Sequence, residues 1–394
     1  MKQLKFVFGA MICFYSIYSL TGCQKLSYHT INKAAYLRVF NDLNYALTLD
    51  NKDAPLPFLT MLIDPVIDSK GVITGAAIMG DHLDTRSSYA PAYPAHAGNS
   101  GFRNPEYPGQ ENVLVGPILN GIDLSSWAQI PSGKHRIMFV SRPVTADAFL
   151  SLDPSNRNKI LVDTTINLNE GQVYTMETIN ADAYSNKVSL YLRNEQFTNT
   201  AFSDSSVYVN FYNLGSKGYW QKNYGVIDVG SGQQVPEVKD TMNIYLSLLK
   251  GSSSNPYPSP ASDSAAVGYN SIYFARVIRS TASDVHPYYS FPLFPTVGSN
   301  HISTNIYQVF DLFAPGYDNN RVGPGTNPVS YPNYAGIICF GYDYTQGQTP
   351  NLIVTTPSGQ YNPRSFGTIN TIEIVNGKTY LMTVQRKYDP PVIH

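Results

Sequence analysis

The chain has little charge, little tryptophan and few cysteines. Asp, Glu, Lys and Arg make up 14% of its 394 residues and sum to a formal net charge of −1. The basic face that displaces counterions from a polyanion is therefore missing, which excludes nucleic acid as the main partner. Also absent are a phosphate-binding glycine loop, a dinucleotide fingerprint, a Gly-X-Ser-X-Gly elbow and the His-X-X-X-His spacing of zinc sites. Those absences remove the catalysts that carry local signatures, and they predict a protein without cofactor, metal or catalytic residues. No polar tract is long enough for a large disordered region. Beyond the first residues, no apolar run approaches the roughly 20 positions that cross a bilayer as a helix.

What the chain has is apolar and aromatic surface. Hydrophobic residues reach 43%, ample for packed cores, and the aromatics are weighted to tyrosine, with 30 Tyr against 18 Phe and 2 Trp. Tyrosine thus supplies much of the amphipathic surface. The length exceeds what one hydrophobic core usually holds, so two domains are expected.

The N-terminus carries a targeting pattern. Lys2 and Lys5 precede the apolar run Phe6 to Leu20, and Leu20-Thr21-Gly22-Cys23 follows, the order of a secretory signal peptide. Leu-Thr-Gly-Cys resembles the lipobox of bacterial lipoproteins. That resemblance implies cleavage before Cys23, acylation of its thiol (the palmitate type of modification) and a membrane as partner through the lipid anchor. Two or more acyl chains make such anchoring stable. Gln24, where many bacteria place Asp to retain a lipoprotein in the inner membrane, points by the same resemblance to the outer membrane; the leaflet is left open. Cys13 then departs with the signal peptide and Cys339 has no partner for a disulfide. In the apolar run Ala335 to Phe340, Cys339 reads as a small buried hydrophobe.

The rest reads as β structure. Tyr36 to Phe40, Val113 to Val115, Ile137 to Val140, Val173 to Ile179, Val188 to Leu192 and Val207 to Tyr212 are short runs rich in Val, Ile, Tyr and Phe, separated by turn residues. Val238 to Leu249 fits a helix or a strand. Two segments recur. Tyr36-Leu37-Arg38-Val39-Phe40-Asn41 matches Tyr208-Val209-Asn210-Phe211-Tyr212-Asn213 at an offset of 172. Thr165 to Met176 matches Thr371 to Met382 at an offset of 206, each with a Gly turn, at Gly171 and Gly377, read as a hairpin that places Tyr174 and Tyr380 at equivalent positions. The expected organisation is a signal peptide over 1–22, a lipidated tether over 23–32, and two β domains over 33–203 and 204–390. On these offsets the second domain is longer by 34 residues, placed in loops.

Arg38-Val39-Phe40-Asn41, then Asp53-Ala54-Pro55 and Leu62-Ile63-Asp64, and further on Pro131-Ser132-Gly133-Lys134-His135-Arg136-Ile137, resemble a family of bacterial repeat modules without assigned function. That family occurs in exported lipoproteins and surface proteins of the Bacteroidetes. The resemblance implies an all-β fold of two tandem immunoglobulin-like β-sandwich domains, and it carries no catalytic residues.

Chemistry is thinly spread. Gly80-Asp81-His82-Leu83-Asp84 sets a histidine between two carboxylates, yet neighbours on an extended chain point to opposite sides. His96, His135, His286 and His301 stand singly, and Asp318-Asn319-Asn320 lacks a calcium-loop pattern. Loops rich in aromatics are the better candidates for a site. Tyr89, Tyr93, Phe102 and Tyr107 lie in one, Tyr288 and Tyr289 in another, and Tyr317, Tyr331 and Tyr334 in a third. Flat rings beside amides and hydroxyls suit a glycan or protein ligand; equally, the rings can fold back and pack the loops. The sequence thus predicts a non-catalytic outer-membrane lipoprotein that binds an envelope or extracellular ligand. A structural or adhesive, fimbrillin-like subunit is the first alternative and a hydrolase with a dispersed site the second.

Overall fold

The computed structural model describes residues 31–43, 58–86, 93–94, 113–185, 187–203, 206–219, 239–250, 264–265, 268–292, 303–304, 306–316, 334–340, 349–350, 353–355, 361–365, 368–376 and 378–386. Almost all the regular structure among them is β. In the N-terminal half the strands are β1 (Ala34–Asn41), β2 (Leu59–Ile67), β3 (Ile73–Leu83), β4 (Ile118–Leu119), β5 (Ile122–Asp123), β6 (Ala128–Pro131), β7 (Gly133–Ser141), β8 (Ile160–Leu168), β9 (Val173–Asn180) and β10 (Val188–Asn194). The C-terminal half holds β11 (Ser206–Asn213), β12 (Thr241–Lys250), β13 (Ser264–Ala265), β14 (Ile272–Ile278), β15 (Tyr289–Pro292), β16 (Ser303–Thr304), β17 (Ile306–Phe313), β18 (Tyr334–Phe340), β19 (Thr349–Pro350), β20 (Ile353–Thr355), β21 (Tyr361–Ser365), β22 (Thr368–Val375) and β23 (Lys378–Gln385). Three short 3-10 turns, at 149–151, 154–157 and 197–199, are the described helical segments. Residues 33–394 form one compact unit.

The same topology occurs twice. One N-terminal sheet runs β10-β9-β1-β6 and the other β3-β2-β7-β8; their counterparts run β23-β22-β11-β15 and β14-β12-β17-β18. In each half the opening strand pairs in parallel with a late strand, β1 with β9 and β11 with β22. The two sheets of a half then share one apolar core. Leu37, Val39 and Met176 meet Met61, Ile63 and Phe139 in the first; Val209, Phe211 and Ile372 meet Ile244, Leu246 and Phe310 in the second. These are alternate positions along their strands, the period that turns one face of a strand inward. Burying each such side chain contributes about 1.5–3 kcal/mol.

Register shows which residues correspond, and it corrects the repeat as read from the sequence. Tyr36 lies opposite Val173 and Phe40 opposite Glu177; Tyr208 lies opposite Ile369 and Tyr212 opposite Glu373. The opening strands correspond at the expected offset of 172, but the closing strands correspond at 196, so Glu177 matches Glu373. The second copy is longer by 24 residues over this span, not 34. Tyr191 faces Glu177 on β10 and Tyr380 faces Glu373 on β23, so the counterpart of Tyr380 is Tyr191 and not Tyr174. The two glycine turns also differ in kind. Residues 376–377 join β22 to its hairpin partner β23. Gly171, at φ +73°, instead carries the chain from β8, which pairs with β7 in one sheet, to β9 in the other. A polar Gly turn between two alternating runs has one local signature whether the strands pair or part.

Other expectations meet the structure as follows. Five of the six predicted runs are strands, whereas Val113 to Val115 makes a single bridge, from Val115 to Ala128. Of the two readings of Val238 to Leu249, the strand is observed, as β12. Cys339 lies on β18.

Candidate functional site

The outer faces of the two opening-strand sheets meet, and the most unusual chemistry of the molecule lies where they do. Strands β9 and β22 are buried along their whole length. One face of each points into its own core, and the other carries Glu177, Ile179, Glu373 and Val375 into the layer between the halves. Ile179, Tyr191, Tyr212, Leu214 and Val375 pack there as a small apolar cluster spanning both halves, with Tyr380 against it. Beside it lie Arg38, Asp42, Arg86, Glu177, Arg193, Glu195 and Glu373.

Glu373 is the hub. Its Oε2 accepts from Arg86 Nη2 at 2.7 Å and its Oε1 from Arg193 Nη2 at 2.5 Å. Arg86 also donates to Asp42 Oδ2 at 3.3 Å, and its guanidinium lies 3.8 Å from the Phe40 ring centroid and 4.3 Å from that of Tyr380. Tyr380 in turn donates its hydroxyl to the Arg86 carbonyl at 2.9 Å. Arg193 donates to Glu195 Oε1 at 2.8 Å and covers the Tyr212 ring at 4.1 Å. Thr175 Oγ1 donates to the same Glu195 oxygen. Arg38 is less enclosed, lying over the rings of Phe40 and Trp127.

Burial raises the cost of every charge here, and partners decide which groups stay ionised. Burial pushes Glu373 up, but Arg86 and Arg193 outweigh it and hold the carboxyl at about 2. Glu177 goes the other way: burial, then the negative charges of Glu373 and Asp42, raise it well above the carboxylate range. Asp42 is raised by burial too, while Arg86 and a hydrogen bond with Glu177 oppose the shift. Arg38 is lowered to about 10 by burial and the charge of Arg86. Burial raises the hydroxyls of Tyr191, Tyr212, Tyr288 and Tyr380. An array of this kind favours a fixed geometry more than it adds net stability, because desolvation cancels much of the Coulomb gain.

Asn41 and Asn213 close the two opening strands in the same way. Each side-chain oxygen accepts from the backbone N–H two residues on, at 3.2 Å in both cases. Each side-chain NH₂ donates to a carbonyl of the adjoining segment, Leu83 for Asn41 and Lys239 for Asn213. This asparagine turn is the physical content of the Asn shared by the two opening segments.

Three candidates from the sequence, Tyr93, Tyr288 and Tyr289, make packing contacts. Tyr93 is 6% exposed and sits in the N-terminal core against Gly80, where a Cβ would approach its ring to 2.7 Å. Tyr288 packs edge-on to Phe202 and donates to the Glu195 carbonyl at 3.1 Å, and Tyr289 packs against the C-terminal core. Tyr89, Phe102, Tyr107, Tyr317 and Tyr331 lie outside the described residues, as do Cys23, His96, His301 and Asp318-Asn319-Asn320; Tyr334 is described for its backbone, as the first residue of β18.

In the Gly80–Asp84 segment, Asp81 accepts from Thr60 Oγ1 and Phe149 N, both at 2.7 Å, and pairs with buried Arg142. It thereby clamps the segment bearing Phe149 and Leu152 over Leu62, Met138 and Val140 on the outer face of β2 and β7. Burial opposes ionisation of Asp81, but bonds from Arg142 and Thr60 hold its carboxyl below the usual range. His135 bridges Asp64 and the Pro131 carbonyl, and His286 stacks on Tyr212 with Nδ1 at the Phe211 carbonyl. No group of three or more His, Cys, Asp or Glu among the described residues is arranged to hold a metal.

No protein-family model matches the chain. No curated protein matches it either. Among solved structures, a Bacteroides fragilis protein provisionally described as a cell adhesion protein aligns at 14% identity over 91% of this chain and all of that one, with a TM-score of 0.16. A score at that level carries no statement about fold or role.

Proposed function

We propose that this chain is a lipid-anchored protein of the outer membrane, held by Cys23, in which two immunoglobulin-like sandwiches over 33–203 and 204–390 form one rigid, non-catalytic body that binds a glycan or an envelope protein. The buried ionic layer carries this reading. It commits the outer faces of two sheets to each other, as the cores commit the inner faces, and so takes those faces away from any ligand. The aromatic-rich segments of the sequence that carry Tyr89, Tyr107, Tyr317 and Tyr331 are the candidates for the binding surface. Among the described residues, Asp81, His135 and His286, which could serve a hydrolase, are engaged in packing bonds.

A glycan array probed with the full chain tests the reading, with Tyr89, Tyr107, Tyr317 and Tyr331 replaced by Ala in turn. The reading expects a loss of about 1 kcal/mol or more of binding at an anchoring ring with melting temperature unchanged. Melting losses without a binding loss would retire it. An adhesive or structural subunit is the second reading, supported by β8, which pairs with β7 alone among the described strands and leaves a nine-residue edge. Labelled palmitate is expected on the wild type and not on Cys23→Ala; label on the variant would overturn the anchor.

A further inference from the structure

Among the described residues, the layer between the halves holds one more carboxylate than it holds arginines. Arg38, Arg86 and Arg193 face Asp42, Glu177, Glu195 and Glu373, and both arginines that bind Glu373 are already engaged twice. Glu177 is 0% exposed. Neither of its oxygens has an N–H or O–H donor among the described residues, and Asp42 Oδ1 has none. The nearest guanidinium nitrogen, Arg193 Nη1, stands 4.0 Å from Glu177 Oε1. The two underserved carboxyls face each other closely enough to share a hydrogen bond. Two anions cannot bond in that way, whereas an acid and an anion can.

We propose that a single proton, carried by Glu177 and donated to Asp42, closes the layer, and that its loss to solvent at alkaline pH is the switch that releases the two halves from each other. With the proton in place, three guanidinium groups face three carboxylates. Without it, Asp42, Glu177 and Glu373 become adjacent anions, and the nearest guanidinium nitrogen among the described residues, Arg193 Nη1, stands beyond hydrogen-bond distance of Glu177 at 4.0 Å. Arg86 already serves Asp42 and Glu373, Arg193 serves Glu195 and Glu373, and Arg38 lies over Phe40 and Trp127. Tyr191 and Tyr380, each directly across the ladder from one of the two glutamates, and Tyr212 are neutral phenols. The sign follows from linkage. A carboxyl raised in the folded chain adds stability that is full below its unfolded value and is lost as pH rises through its folded value.

Thermal unfolding of the full chain between about pH 5 and about pH 9 tests this, with small-angle scattering at both ends of the range. The wild type is expected to lose melting temperature and to expand as pH rises. Glu177→Gln, whose amide donates to Asp42 at any pH, is expected to keep a flat profile and a constant radius of gyration. A flat wild-type profile, an equal slope in Glu177→Gln, or a wild type that stays compact at the alkaline end overturns the proposal. Should Glu177→Gln fail to fold, carboxyl-labelled glutamate in the wild type decides by nuclear magnetic resonance. One glutamate signal at the position of a protonated acid at neutral pH is expected, and its absence overturns the idea.

Discussion

Glu177 and Glu373 occupy the same position in the two halves, opposite Phe40 and Tyr212 on parallel ladders and beside Tyr191 and Tyr380, yet their carboxyls are shifted in opposite directions, Glu177 up and Glu373 down. The difference lies in the neighbours. Glu373 sits between two guanidinium groups; Glu177 feels the negative charges of Glu373 and Asp42, with Arg193 at 4.0 Å. A duplicated residue is thus held as a carboxylate in one copy and, under the proposed shared proton, serves as the acid of the layer in the other.

Replacing Glu373 with Gln should be severe, because it strands Arg86 and Arg193 in a dry layer. A loss of about 3–5 kcal/mol is expected in denaturant unfolding. A loss below about 1 kcal/mol would show that the arginines find other partners.

Acid should act through the same residue. With its folded value at about 2 against an ordinary 4.5, Glu373 contributes stability that is present above about pH 4.5 and is lost as pH falls toward about 2. Unfolding free energy measured across that range should decline in the wild type. In Glu373→Gln this component should be missing; an identical acid slope would assign the decline elsewhere.

Asp81→Asn tests the clamp on the 144–157 segment. The substitution leaves Arg142 buried without its anion, so about 3 kcal/mol or more should be lost. Amide exchange at Phe149 and Leu152 should rise before that of the β7 interior. Exchange that rises uniformly would mean the segment is no separate unit.

Tyr93→Ala separates packing from recognition. Removing a ring enclosed by the N-terminal core should cost about 3–5 kcal/mol, as for other large-to-small core changes. Retained melting temperature would contradict its placement against Gly80.

Local pattern made the strands legible, and for a clear reason. Leu37 and Val39 alternate with Tyr36, Arg38 and Phe40, and that period of two writes the inner face of β1 directly into the sequence. The opening-strand repeat was legible for the same reason, since Tyr and Asn recur at its ends. What the sequence did not reveal was which strands pair. The match of Thr165–Met176 to Thr371–Met382 follows a shared turn chemistry that is blind to sheet membership. The true correspondence, Thr175-Met176-Glu177 with Thr371-Ile372-Glu373, is shorter and lacks a turn to mark it. A signal was available even so: a glutamate at the centre of an apolar strand, in both copies, is rare unless the residue is paired in a buried site. Arg86 could not have been found this way, because its partners are brought together by the fold alone.

The bond between Arg86 and Glu373 joins residues 287 positions apart, and that between Arg193 and Glu373 spans 180. During synthesis, the N-terminal half emerges with both arginines in place and their common carboxylate still to come. Its apolar core can close early, but the face that will be covered by β22 and β23 must stay wet until nearly the whole chain has been delivered. Completion is therefore a late, single event set by the last strands, and a chain truncated before residue 373 should be left with a folded front half and a charged, hydrated back.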